Sequence, residues 1–454
     1  MRATRYISRL LLGVLFVFSG FVKALDPLGS SYKFSDYFHA FGMEWLDALS
    51  LPLGILLAGF ELVLGLVLIL GYQKRRTYWV LLVFMSFFTV LTFVLALTNP
   101  VTDCGCFGDA IVMTNWETFF KNVVFMVFVL ILFRSAKRSV NVHSTGLEVL
   151  LILVFFAGST ILSLGALRHL PVLDFRPYDI GTYMPGEMEV PEGAPVDEYE
   201  TLLYYKNLET GETEEFTIEN YPNDTSLYEF VTSESNLVSK GYEPPIADFG
   251  IMDPEGFDVT DAVLSFEGYT LMMISYSLEK AEDNLFAEGN LWAGLEKFSA
   301  DFRFLPVTAS AGAVVEEITR SNGIEYGFHA ADETMLKTVV RSNPGFVMIR
   351  DGTIVGKWSW RDFPSMEEWE PGWPELIRQY TEEQDPEVMM LIEEGFMDDM
   401  NWEMIDFGRT AQQVLTDRLM KRTDLGTWII FVLSVMLLTL FARFIPTKNP
   451  DRRG

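Results

Sequence analysis

Cys104 and Cys106 are the chain's two cysteines, and they stand one residue apart in Asp103-Cys104-Gly105-Cys106-Phe107-Gly108-Asp109. Two thiols at this spacing can exchange with a disulfide, close on each other, or join other ligands around a metal. Gly105 supplies the backbone freedom that a small Cys-Gly-Cys ring needs, and a strained disulfide is an oxidising, labile one. Thiolate is the reactive form, and Asp103 and Asp109 on either side are expected to raise both thiol pKa values. The dipole of the following helix partly offsets them. The bland alternative is a permanent structural disulfide or a pair of idle thiols. A metal is not expected, because only His39 and His169 share the face of the cysteines and neither stands at zinc-ligand spacing.

Charged groups inside apolar segments are the other candidates. Glu61 stands mid-way through Ala58-Gly59-Phe60-Glu61-Leu62-Val63-Leu64-Gly65; Lys23 ends the first apolar segment, and Lys121-Asn122 follow Trp116 by about a turn. Glu61 either pairs with a lysine and locks helices together, or relays protons and touches a small redox partner such as a quinone. Both readings stay open on the residues alone. Gly59, Gly65 and Ser19-Gly20 are small enough for close helix contact, a packing signal.

These residues must be positioned by membrane helices. The formal charge is −28 and the pI about 4.5, which excludes nucleic acid as a partner, yet 49% of residues are apolar and mean hydropathy is +0.20. An apolar membrane part fused to an acidic soluble part reconciles the two. Segments 7–25, 51–71, 78–97, 117–133, 147–167 and 425–441 reach the length that spans a lipid bilayer. Arg2, Arg5 and Arg9, then Lys74–Arg76, then Arg134, Lys137 and Arg138, then Arg443, Lys448, Arg452 and Arg453 all fall on one side if every segment crosses. That side is the cytoplasm by the positive-inside rule. Both termini are then cytoplasmic, while residues 26–50, the cysteine loop and residues 168–424 face the periplasm of a bacterial inner membrane, where disulfides persist. Residues 2–24 also have the look of a cleaved signal peptide, but Lys23 before the cut and the long apolar run oppose that reading.

Four pieces in order carry a family resemblance: Phe18-Ser19-Gly20-Phe21-Val22-Lys23-Ala24-Leu25-Asp26-Pro27; Glu61 with Gly65 and Gly71; Cys104-Gly105-Cys106-Phe107-Gly108; and Trp116 through Lys121-Asn122. Residues 1–138 resemble the DoxX/MauE-type four-helix membrane family. The resemblance implies a four-helix bundle with the cysteine pair on its outer face. MauE is implicated in disulfide formation in a periplasmic enzyme, whereas many DoxX-like members have no settled activity. Lys121 departs from the Arg-Asn pair common in the family.

Past a fifth span (139–175), residues 176–244 read as a Pro-, Gly- and Glu-rich linker and a β-hairpin, with strands at 201–207 and 214–218 around Glu209-Thr210-Gly211-Glu212. From 245 to 380, strands at 269–276 and 304–309 alternate with helices at 291–302, 313–321 and 333–341. A hairpin, 346–350 and 353–358, follows Pro344 and turns on Asp351-Gly352, before a helix near 369–380. This order resembles the thioredoxin fold. Where a thioredoxin carries Cys-x-x-Cys the chain reads Ser277-Leu278-Glu279-Lys280, so this domain has no thiol of its own. The resemblance implies a binding module in which Pro344 is the loop proline, often cis, that faces bound polypeptide; Pro344 as a plain turn residue is the alternative. Residues 381–424 read as an acidic amphipathic arm, and 425–454 as a sixth span with a basic tail.

No P-loop, dinucleotide fingerprint, His-Glu-x-x-His or serine-nucleophile elbow is present. The fold expected is an α-helical membrane bundle of six spans with a soluble α/β thioredoxin-like domain. The function expected is an inner-membrane thiol-disulfide oxidoreductase: Cys104 and Cys106 cycle, Glu61 carries a proton, a quinone is a candidate electron acceptor, and the soluble domain docks a periplasmic client. Lys23, Trp116, Asn122 and Pro344 are expected in structural or binding roles. The rival is a non-enzymatic scaffold of an envelope complex with a structural disulfide. A transporter is a third reading, supported by Glu61 but without an evident inverted repeat.

Overall fold

The computed structural model describes residues 2–366, except 73, 102, 137–144, 197, 223, 240 and 298–300. The helix expected near 369–380, the acidic arm and the sixth span lie outside these residues. By internal contacts the chain divides into two compact units, Met1–Gly181 with Gly250–Gly454, and Thr182–Phe249.

The larger unit opens with helices, the form that satisfies backbone polar groups within one segment when no water is at hand. They are α1 (Arg2–Leu25), α2 (Pro27–Ala40), α3 (Ser50–Leu70), α4 (Lys74–Thr98), α5 (Asn115–Ser135) and α6 (Thr145–Arg168). All but α2 are long and apolar enough to cross a membrane, giving five candidate spans among the described residues. The chain is a membrane protein. Leu12, Phe16, Leu64, Leu68, Leu81, Met85, Val129 and Leu132 form one buried cluster among α1, α3, α4 and α5. A Cβ built on Gly20 falls 2.3 Å from the backbone nitrogen of Leu62, so α1 and α3 touch backbone to backbone there.

Helix α2 was not expected within residues 26–50. Its local signals are plain: Asp26 caps the helix by accepting from the Gly29 backbone N–H at 2.9 Å, and Pro27 takes the first helical position. The helix is too short and polar to register as a span.

The smaller unit holds α7 (Met184–Met188) and an antiparallel sheet ordered β2-β1-β3, from β1 (Glu198–Asn207), β2 (Thr213–Thr217) and β3 (Tyr228–Ser239). The hairpin turns at Gly211, and Tyr205 meets Phe216 and Phe230 edge-on at 5.8 and 5.5 Å. Strand β3 is an addition to the expected hairpin.

The larger unit resumes with α8 (Thr260–Leu264), β4 (Tyr269–Ser275), α9 (Phe286–Glu296), β5 (Phe302–Thr308), α10 (Gly312–Ser321), β6 (His329–Ala330), α11 (Glu333–Val339), β7 (Gly345–Arg350) and β8 (Thr353–Ser359). The sheet runs β6-β5-β4-β7-β8, with β4, β5 and β6 parallel, and β7 and β8 antiparallel additions. Its core collects Leu271, Met273, Phe286, Trp292, Phe346 and Trp358. Two helices differ from expectation. Helix α9 starts at Phe286 and stops before Phe302, which is a buried strand residue. Helix α11 stops at Val339, because Val340 is extended; a cis Asn343–Pro344 bond lies further on. Arg341 is thereby released from the helix, and its guanidinium meets Asp26 at 2.9 Å and Asp109 at 3.0 Å. These ion pairs bring the α/β part to the end of the bundle that carries the cysteine loop.

Candidate functional site

The cysteine loop is closed at its neck. Asn115, at the start of α5, donates to Asn99 Oδ1 at 2.8 Å and to the Val101 carbonyl at 2.7 Å. Thr114 and Glu117 cap α5 reciprocally. Within the loop Gly105 takes φ +64°, a left-handed conformation that favours glycine. That turn folds Cys104 and Cys106 toward each other, and their sulfurs lie 2.9 Å apart as free thiols. A small side-chain movement would bring them to bonding distance.

Two helices hold the loop around the two cysteines, each through a pair of side chains one turn apart. On α1, the Lys23 ammonium donates to the Cys106 carbonyl, and the Ser19 hydroxyl lies 2.6 Å from the same oxygen. Lys23 also donates to Ser19 and is ion-paired with Glu61, both at 2.8 Å; Ser19 Oγ is 2.8 Å from Glu61. All three side chains are buried. On α2, Tyr37 donates to the Cys104 carbonyl at 2.8 Å, and Lys33 is ion-paired with Asp103. Behind the loop, Phe107 packs on Phe18, and the Lys121 ammonium sits 4.3 Å from the Phe107 ring centre.

These charges change the expected titration. Asp103 and Asp109 do not act as free carboxylates on the thiols, because Lys33 and Arg341 pair with them. Burial pushes the Asp109 carboxyl up against the pull of Arg341. The Cys106 thiol is drawn down to about 6, chiefly because Cys104 hydrogen-bonds its thiolate; the Lys121 and Lys23 cations add to this and burial opposes it. The same hydrogen bond, with burial, pushes Cys104 well up. Tyr37 is pushed above its ordinary range by burial first and the neighbouring cysteines next, and stays a hydroxyl donor. The pair is therefore asymmetric, with the thiolate favoured on Cys106 and the proton on Cys104.

Cys104, Cys106, Glu61 and Lys23 are thus brought together. Trp116 stacks on Phe120 at 5.8 Å and is half exposed, and Asn122 donates to Thr92 at 3.1 Å on the α4–α5 contact. Pro344 sits in the cis bond after Asn343, whose amide donates to the Ser277 carbonyl at 2.7 Å. Sequence reading missed Lys33, Tyr37 and Arg341, and took Ser19 only as a small packing residue. Lys33 and Tyr37 could have been found through the Asp26-Pro27 helix start, whereas nothing local marks Arg341.

Among the described residues no group of three or more His, Cys, Asp or Glu side chains could hold a metal. His169 is bonded to Asp362 at 2.9 Å. A cavity of about 30 Å³ beside the pair is lined by Lys23, Asp26, Lys33, Gly105, Asp109 and Arg176, among others. It has room for about one water. A quinone ring does not fit it, since small-molecule sites run to about 300 Å³ or more.

Residues 1–135 match the family model of methylamine utilisation protein MauE. Residues 199–240, which take in the sheet of the smaller unit, match a domain of unknown function, DUF8463. No curated protein matches the chain. A solution structure from Bacteroides thetaiotaomicron, assigned by inference as a protein disulfide isomerase, is 20% identical and covers 30% of this chain and 84% of its own. Its TM-score is 0.21, too slight a superposition to bear on fold or activity.

Proposed function

We propose that this membrane protein, of MauE type over residues 1–135, exchanges electrons with thiols and disulfides through Cys104 and Cys106. The observation that carries the proposal is the pair itself: two free thiols at 2.9 Å, each with its carbonyl held by a hydrogen bond from a different helix. A loop that served only as a staple has no need of a buried Lys23–Glu61 pair against one of its peptide groups. Glu61, bonded to Lys23 and Ser19, stands where its carboxylate can take up a proton that leaves the pair.

The site belongs on the periplasmic face of a bacterial inner membrane, with the α/β part on the same face. The positive-inside pattern of Lys and Arg supports this, as do the Arg341 ion pairs to the cysteine end of the bundle. That α/β part is read as thioredoxin-like, supported by the β5-β4-β7-β8 order and the proline before β7. With Ser277-Leu278-Glu279-Lys280 after β4 it has no thiol to exchange, and its role is to dock a periplasmic client polypeptide.

The test is the redox state of Cys104 and Cys106 in cells, by alkylation trapping before and after a brief dithiol challenge. A population that mixes dithiol and disulfide and recovers after challenge is expected. A pair that stays oxidised throughout is a staple, and the scaffold reading replaces this one. Cys104→Ser and Cys106→Ser should each abolish client oxidation; normal oxidation in both would sink the proposal.

A further inference from the structure

Each cation around the cysteine loop has an acidic partner, with one exception. Lys33 faces Asp103, Lys23 faces Glu61, and Arg341 faces Asp26 and Asp109. Lys121, on α5, makes no ion pair among the described residues, and its ammonium rests over the ring of Phe107, the residue after Cys106. A half-buried ammonium on a membrane helix is costly without an anion. The two sulfurs also differ in surroundings. Cys106 is half-buried, and its carbonyl meets the Lys23 ammonium. Cys104 is buried, and its carbonyl meets the neutral hydroxyl of Tyr37.

We infer that Lys121 is the counter-ion of a Cys106 thiolate, that Cys106 is the sulfur a client engages, and that Cys104 is the sulfur the client displaces. The assignment rests on the thiol-exchange reading above for its client, and on charge and exposure for its asymmetry. A client thiolate attacks Sγ of Cys106 in the Cys104–Cys106 disulfide. The client–Cys106 bond forms, the bond between the two cysteines breaks, and Cys104 leaves as a thiolate that takes up a proton. A second client thiolate then attacks the client sulfur of the mixed disulfide. The client disulfide forms, Cys106 leaves as thiolate beside Lys121, and the client has passed two electrons to the pair. A low-pKa sulfur is the better leaving group in this second step.

The experiment uses the reduced full-length chain in lipid nanodiscs and reads the rate of iodoacetamide alkylation against pH. In Cys104→Ser, whose hydroxyl can still donate to the remaining sulfur, the midpoint should lie below the about 8.5 of an ordinary thiol. In Cys106→Ser it should lie at or above that value. Adding Lys121→Met to Cys104→Ser should raise the midpoint by about one unit, about tenfold slower alkylation at a pH well below both midpoints, and Lys121→Arg should leave it low. Equal midpoints for the two single-thiol variants, or no movement with Lys121→Met, overturn the inference. The trapping experiment above is read separately. A pair that cycles in cells but has equal midpoints defeats only this assignment. Asymmetric midpoints in a pair that never cycles leave Lys121 as counter-ion and defeat the thiol-exchange reading.

Discussion

Lys23 and Glu61 make a buried ion pair, and such a pair responds differently to losing one partner than to losing both. Removing one leaves an uncompensated charge and costs about 3–5 kcal/mol, whereas replacing both with apolar residues of similar volume is close to neutral. Glu61→Leu should therefore lower the thermal midpoint strongly, and Lys23→Met/Glu61→Leu should recover most of it. Thermal unfolding in detergent checks this; additive losses would mean the two act independently. The double variant should still fail to recycle its thiols if the pair handles protons. Reactivity of the wild-type pair follows the depressed Cys106 pKa. Thiolate is present above about pH 6 and is lost as pH falls through that value, so alkylation should slow below it and change little above. Cys104, Cys106, Lys23 and Glu61 were legible from the sequence because a lone thiol pair and charges in apolar runs are rare. What residue types could not convey was Lys33 neutralising Asp103, and Arg341 neutralising Asp109, which removes the penalty the flanking aspartates would impose.

At the scale of elements, the site depends on how closely α1 approaches α3, because Ser19 and Lys23 on one helix share Glu61 on the other. Gly20 sets that approach. Gly20→Ala puts a methyl against the Leu62 nitrogen and Ala58 carbonyl, backbone atoms that cannot turn aside. A loss of about 1–3 kcal/mol is expected from such overpacking. The same variant should loosen the Lys23 contact and raise the Cys106 alkylation midpoint; wild-type stability and midpoint would show that the helices have slack. Five of the spans were legible because apolar length is an unambiguous signal. Helix α2 was not, since a 14-residue polar segment between two spans reads as loop unless its Asp-Pro start is weighed. The shift of α9 has the opposite origin: Phe302 extends an apolar helical pattern, yet its burial is in strand β5. Tertiary pairing there outweighs local period.

For the whole molecule, the joint between bundle and α/β part is made of charge. Arg341 meets Asp26 and Asp109, Lys357 and Arg176 share Asp174, and His169 meets Asp362. Arg341→Gln should destabilise by about 2 kcal/mol, less than a fully buried pair would, because the Asp109 side chain keeps 38% of its exposure. Limited proteolysis between the two parts should quicken, and adding Asp109→Asn should restore part of the loss. Unchanged cleavage would mean the joint is held elsewhere. None of these pairings was legible, since their partners are far apart in the chain and of the commonest surface types.

Asp109 and Arg341 are separated by 232 residues. At about 5–20 residues per second, translation needs roughly 10–50 s to go from one to the other. For that interval the newborn cysteine loop has left the ribosome with Asp109 uncompensated and without the cap that its finished form possesses. The thiols acquire their mature setting only when the α/β part arrives, so the chain's own synthesis acts as a delay on its chemistry.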